Sequence, residues 1–204
     1  MSTFITGGAG FIGGWLSRSI AESGEEVAIV DDFSRGQRDT FLDDLLATGR
    51  VRLIDIDMMA PGALDSLGTD YHVIYHFAAR VGVRNVSEAP FDTLRDNVLL
   101  TERAIELARR QDALERFVFA STSEVYAGSF EYLELPLPTP EATPLCLTDL
   151  SAPRTSYMLS KLYGEAMVRH ADLPFTVFRP HNIYGPRMGM AHVIPELLRK
   201  AHAA

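Results

Sequence analysis

Tyr157 and Lys161 stand four residues apart in SYMLSKLYGEAMVRHA (156–171), a stretch that reads as a helix, so both side chains share one face. An ammonium beside a phenol stabilises the phenolate and lowers its pKa, which makes the tyrosine a base near neutral pH. The chain has only two lysines, Lys161 and Lys200. With so few, chance supplies roughly 0.07 such pairs, and a solvated surface pair is the plainer alternative. Upstream, ASTSEVYA (120–127) offers the hydroxyls of Ser121, Thr122 and Ser123 and the carboxylate of Glu124. A hydroxyl there can hydrogen-bond a substrate oxygen while Tyr157 takes its proton. Ordinary turn chemistry is the alternative for such a cluster.

A second group lies at the start of the chain. In STFITGGAGFIGGWLSRSI (2–20), Phe4-Ile5-Thr6 reads as a buried strand. Phe11, Ile12, Trp15, Leu16 and Ile20 then recur at helical spacing, with Gly24 as a C-cap. Gly7, Gly10 and Gly13 fall in the turn between them. The spacing differs by one residue from G-x-G-x-x-G and suits the same purpose: a tight turn, backbone N–H groups close to a pyrophosphate, and a helix packed tightly on its strand. The next strand, EEVAIVDD (25–32), ends in acid. Asp31 stands where a carboxylate accepts from the ribose hydroxyls of NAD and repels a 2′-phosphate, although Arg35 is nearby. A plain loop and a solvated strand end are the structural alternatives.

Those residues need elements to position them. VRLIDID (51–57), HVIYHFAA (72–79), RFVFAST (116–122) and PFTVFRP (174–180) read as strands, and PFDTLRDNVLLTERAIELARRQ (90–111) reads as a long amphipathic helix. Alternating strands and helices predict an α/β fold, a doubly wound parallel sheet of Rossmann type with helices on both faces. Ligands on such sheets bind at the carboxyl ends of the strands, and the polar residues above collect there.

At 204 residues, 47% hydrophobic and 23% charged, the chain can bury a core of its own. A net charge of −8 argues against nucleic-acid binding. The single cysteine, Cys146, excludes an internal disulfide and points to a reducing cytoplasm. No stretch is apolar enough to span a membrane, no basic leader precedes the first strand, and the six histidines lack metal-ligand spacing. No metal and no membrane partner are expected.

TGGAGFIG (6–13), VDD (30–32), Asp55-Ile56, HFAA (76–79), Asn97, STSEVY (121–126), YMLSK (157–161) and RPHNIYGPR (179–187) run in one order along the chain. Together they resemble the extended short-chain dehydrogenase/reductase family, the NAD-dependent epimerase/dehydratases that act on nucleotide sugars. The resemblance implies that Gly7, Gly10, Phe11, Ile12 and Gly13 hold the pyrophosphate of NAD. Asp31, with Asp32 and Ser34, would hold the adenosine ribose, and Asp55 and Ile56 would flank the adenine. It places Phe77, Ala78, Ala79 and Asn97 along the path to the nicotinamide, with Tyr157, Lys161, Pro180, Asn182 and Ile183 around it. Thr122, Ser123, Glu124, Tyr157 and Lys161 would form the catalytic set, and Arg80, Thr122, Asn182 and Arg187 would meet the substrate.

In enzymes of this kind the tyrosine deprotonates a sugar hydroxyl and a hydride passes to NAD, giving a keto-sugar. Glu124 resembles the acid of members that dehydrate or decarboxylate, where it serves as base at C5 or positions the departing group. Simple 4-epimerases, the alternative, usually lack it, and HFAARVGVR (76–84) is similar to uronate epimerases. A structural acid capping the next turn is the plainer role for Glu124. A non-catalytic NAD-binding module is the alternative of another class. Relatives are commonly longer. The expected organisation is therefore a cofactor domain over 1–180 and the start of a substrate-binding region over 181–204, in a chain that is a fragment or borrows its cap. The helices at 90–111 and 156–171 are expected to pair two copies in a four-helix bundle. The proline-rich ELPLPTPEATPL (134–145) is expected to lie as a loop over the site or as a tolerated insertion.

Overall fold

The computed structural model describes residues 1–190 and 192–203. Six strands, β1 (Ser2–Thr6), β2 (Glu26–Asp31), β3 (Val51–Asp55), β4 (Val73–His76), β5 (Arg116–Ala120) and β6 (Phe175–Phe178), form one parallel sheet in the order β3-β2-β1-β4-β5-β6. This is the doubly wound order expected from the alternation of strands and helices. Strands β2 to β6 are each shorter than the apolar run that predicts them, and most of the difference falls at the carboxyl ends, which leave the ladder to build the site.

The pleat sends alternate residues to opposite faces. Phe4, Ala28, Val30 and Ile74 enter one core with Phe117 and Phe119. Ile5, Val27 and Ile29 enter the other. Helices α1 (Phe11–Glu22) and α2 (Thr40–Ala47) cover the second face through Ala21, Leu42 and Leu45. The first face is closed by α4 (Pro90–Arg109) and α6 (Thr155–Arg169) through Ala104, Leu107, Ala108 and Val168, and these two helices pack side by side. No helix among the described residues is long and apolar enough to cross a membrane.

Three helices went unread in the sequence. For α2 the signal was Asp39, whose carboxylate caps the helix by accepting from the Leu42 N–H at 3.0 Å. The other two, α3 (Val83–Glu88) and α5 (Ala127–Tyr132), are six residues each and lack a side-chain cap. The last helix, α7 (Val193–His202), lies within residues 181–204, of which Ala191 and Ala204 are outside the described residues; Val193, Leu197 and Leu198 on it are exposed.

The proline-rich stretch is irregular and tied down. The Ser129 hydroxyl donates to the Pro144 carbonyl at 2.6 Å and accepts from the Cys146 N–H at 3.2 Å. Gly128 is required there, because a Cβ would stand 2.1 Å from the Cys146 carbonyl oxygen. At its far end the Thr155 hydroxyl donates to the Asp149 carbonyl at 2.7 Å.

Candidate functional site

The strand order reverses between β1 and β4, which opens a crevice above Thr6 and His76. On one side lies the glycine turn. Gly7 takes φ +69°, and a Cβ on it would meet the Ala78 nitrogen at 2.9 Å. Gly13 lets α1 sit on the turn, since a Cβ would stand 2.4 Å from the Gly7 carbonyl oxygen. Above Gly10 a Cβ meets that same oxygen at a tight 3.1 Å and no other atom within 4 Å. No side chain caps α1. Among the described residues the N–H groups of Phe11, Ile12 and Gly13 have no hydrogen-bond acceptor. Unpaired donors at a helix start over the glycine turn suit the pyrophosphate of a dinucleotide.

Asp31 ends β2 beside this turn. Its carboxylate accepts from the Ala9 N–H at 3.0 Å and the Phe33 N–H at 2.9 Å. Burial raises its pKa, and those two bonds resist the rise. Asp32 turns outward to accept the Ser34 hydroxyl at 2.6 Å. Asp55, on the neighbouring strand end, pairs with Arg38. Ile56, next to it, packs against the first core.

The floor of the crevice is a buried polar relay. The Thr6 hydroxyl accepts from the Phe77 N–H at 3.1 Å and the Ala78 N–H at 3.0 Å. Its single hydrogen is left for His76 Nδ1, 2.8 Å away. Nδ1 is therefore the acceptor, and the ring proton sits on Nε2, 3.4 Å from the Thr101 hydroxyl. Burial, with the nearby Lys161, pushes the imidazole down to about 3, so the ring is neutral. Phe77 and Ala78 are thus fixed by their backbone. Ala79 follows them into the crevice.

On the other side stand β5 and α6. Lys161 is buried, and its ammonium donates to the Ala120 carbonyl at 2.8 Å. Burial lowers it to about 8. One helical turn away, buried Glu165 accepts from the Ser121 hydroxyl at 2.6 Å and from Arg179 at 2.7 and 2.8 Å. Ala120, the last residue of β5, and Ser121 just after it therefore grip successive turns of α6, and Tyr157 is brought over Thr122. The Ser123 N–H donates to the Pro180 carbonyl at 3.0 Å, which brings Pro180 to Ile183 beside the same strand end; Asn182 holds φ +46°.

Tyr157 departs from the expectation of a phenol already lowered by its lysine. Its pKa is pushed up to about 12, first by burial and then by Glu124, against the Thr122 hydroxyl and the Arg35 guanidinium. The Lys161 ammonium is 5.9 Å from the centre of the tyrosine ring and is held by a carbonyl instead. In this state the phenol is not a base at neutral pH.

Three expected contact residues are placed elsewhere. Asn97 is buried. It brackets the Arg80 backbone, accepting from its N–H at 2.6 Å and donating to its carbonyl at 3.1 Å, and reaches Ser160 at 3.2 Å. The Arg80 side chain turns to Asp96 on α4 at 2.7 Å. Arg187 turns to the glycine turn, paired with Asp39 at 2.9 Å and donating to the Ala9 and Gly10 carbonyls. The sequence reading missed Arg154, whose guanidinium meets Glu124 at 3.0 Å. Its position just ahead of the helix that carries Tyr157 was the available signal.

Comparison with known proteins accords with this geometry. A family model described as "NAD dependent epimerase/dehydratase family" matches residues 3–204. A UDP-N-acetyl-alpha-D-glucosaminuronate decarboxylase of Bacillus cytotoxicus is 32% identical over 203 residues, covering 97% of this chain and 60% of the relative. Among solved structures, a UDP-galactose 4-epimerase superposes with TM-score 0.78 at 31% identity, covering all of this chain and 63% of that one. An NAD dependent NDP-hexosamine 5,6-dehydratase involved in tunicamycin biosynthesis superposes with TM-score 0.77 at 30% identity, covering 96% and 59%. The chain thus spans about 60% of the length of these relatives.

Proposed function

This chain belongs to the NAD dependent epimerase/dehydratase family, and on that premise we propose that it oxidises a hydroxyl of a nucleotide sugar to a keto-sugar and then dehydrates or decarboxylates it. The observation that carries this reading is the meeting of Thr122, Tyr157 and buried Lys161 at the crevice opposite the glycine turn. The Phe11, Ile12 and Gly13 N–H groups, with Gly7 and Gly10, would hold the pyrophosphate. Asp31 would take the ribose hydroxyls with its remaining lone pairs, and Asp55 and Ile56 would flank the adenine. Bound NAD supplies a hydride acceptor and a positively charged ring.

With the positive charge of bound NAD lowering the phenol, Tyr157 would take the proton of the sugar hydroxyl as the phenolate, and Thr122 would hydrogen-bond the same oxygen. Glu124 acts as base at C5 or steadies the departing group, which favours dehydration or decarboxylation over 4-epimerisation. A simple 4-epimerase is the second reading, supported by the likeness to UDP-galactose 4-epimerase. Against a non-catalytic binding module stands Lys161: burying an ammonium on one carbonyl is costly, and cofactor binding alone does not require it. Residues 1–180 serve as the cofactor domain and 181–204 as the start of the substrate-binding region. We place the protein in the cytoplasm as a homodimer through α4 and α6, which lie side by side and expose Phe91, Leu99 and Tyr163.

The test is to incubate the protein with NAD and UDP-, GDP-, dTDP- and CDP-sugars and follow product masses. Loss of water or of carbon dioxide supports the reading. Unchanged mass with a new stereoisomer by NMR transfers the assignment to an epimerase. NAD binding without turnover of any sugar makes the short substrate-binding region the explanation to test, by repeating the assay on a chain of the relatives' full length.

A further inference from the structure

The cations around the crevice differ in how far their partners commit them. Lys161 is buried on the Ala120 carbonyl. Arg179 is held by the buried carboxylate of Glu165, and Arg80 by that of Asp96. Arg187 is clamped between Asp39 and two carbonyls of the glycine turn, and Arg35 donates to the Val81 carbonyl. Arg35, like Arg154, makes a single bond, but Arg154 is set apart by pairing with a carboxylate that is itself open to solvent. Among the described residues its guanidinium makes one hydrogen bond, to Glu124 Oε1, and both side chains are open to solvent, at 59% and 37%.

An ion pair this exposed contributes only about 0–1 kcal/mol, so another carboxylate arriving beside Arg154 can take the guanidinium over. Five N–H donors in a planar fork fit a carboxylate with two parallel bonds, and the contact with Glu124 uses one of them. The location points to the substrate: Arg154 is the N-cap residue of α6, three residues before Tyr157, and its partner follows Thr122 by two. A neutral hexose offers Arg154 nothing that water does not, whereas a uronate carries a carboxylate, its C6, directly on C5.

We propose that Arg154 is a specificity-determining residue that binds the sugar's carboxylate, so that the site takes a nucleotide-linked uronate in preference to a neutral hexose and releases Glu124 from its ion pair as it does so. This rests on the nucleotide-sugar reading above. Under it, an uncharged substrate leaves Glu124 tied to Arg154, and a uronate frees the carboxylate beside the reacting carbon. Recognition and readiness are thereby coupled through one guanidinium.

The test uses NAD-saturated protein with UDP-glucuronate and UDP-glucose as probes, titrated by saturation-transfer NMR, which reads weak affinities. Arg154→Ala, an exposed position, is expected to weaken UDP-glucuronate about tenfold or more and leave UDP-glucose within about twofold. Glu124→Gln frees Arg154 and is expected to keep or tighten UDP-glucuronate binding. Equal losses for both sugars in Arg154→Ala, no loss for either, or weaker uronate binding in Glu124→Gln would each overturn the proposal while the nucleotide-sugar reading stands. If wild type binds NAD and neither sugar, that reading fails and the proposal falls with it.

Discussion

His76 gives the fold an acid limit that one substitution should remove. The ring is fully buried, accepts from Thr6, and has its pKa pushed down to about 3. In the unfolded chain it returns to about 6.5. A folded pKa below the unfolded one means that the unfolded state binds the extra proton, so stability is present above pH 6.5 and drains as pH falls towards 3. Each pH unit inside that window removes about 1.4 kcal/mol, so going from pH 7.5 to 5.0 costs about 2 kcal/mol. Carboxylates titrate mostly below this range. His76→Gln keeps an acceptor for Thr6 and a donor for Thr101 but cannot be protonated. Urea unfolding at the two pH values should show wild type losing about 2 kcal/mol more than His76→Gln, with the five other histidines cancelling in the difference. Equal losses would mean that His76 is reached by water or protonated in the fold, and would refute the proton assignment through Thr6.

Two further outcomes test the crevice. Gly13→Ala drives a Cβ to 2.4 Å from the Gly7 oxygen and should destabilise the fold by about 1–3 kcal/mol, whereas Gly10→Ala, whose Cβ crowds only that oxygen at 3.1 Å, should destabilise it less and lose NAD affinity in a Trp15 fluorescence titration; the reverse ranking would sink the assignment. Between pH 8 and 10.5 the 295 nm absorbance difference between wild type and Tyr157→Phe should be flat without NAD and show a phenolate with it, because the pKa near 12 is set by burial and Glu124; a phenolate without NAD would contradict that environment.

The alternation of strands and helices and the glycine turn could be read from the sequence because each rests on a local pattern. Phe4 and Ile5 alternate, Gly7 and Gly13 mark a backbone no other residue tolerates, and α4 and α6 carry long amphipathic stripes. The helix pair Tyr157 and Lys161 was legible for the same reason. Partnerships across the fold were not. Nothing local tells that Arg80 turns to Asp96, that Arg187 reaches back some 178 residues to Ala9, or that Asn97 is occupied by the Arg80 backbone. The family motifs name residue types, and the three-dimensional neighbours decide which atoms remain available. Tyr157 shows the point most sharply: the expected lysine is present, yet its ammonium is held by Ala120 and burial dominates the phenol.

The grip of Ala120 and Ser121 on two successive turns of α6 also decides where this protein can move. A helix held at two heights on one strand can neither slide along it nor roll against it without breaking both buried bonds. Tyr157 and Thr122 thus form a stator. Any closure over a bound sugar has to come from parts outside that grip: the stretch after β6, where Ile183, Tyr184 and Met190 stand exposed, and the loop carrying Arg35. Motion there would change what reaches the tyrosine without altering how the tyrosine is aimed.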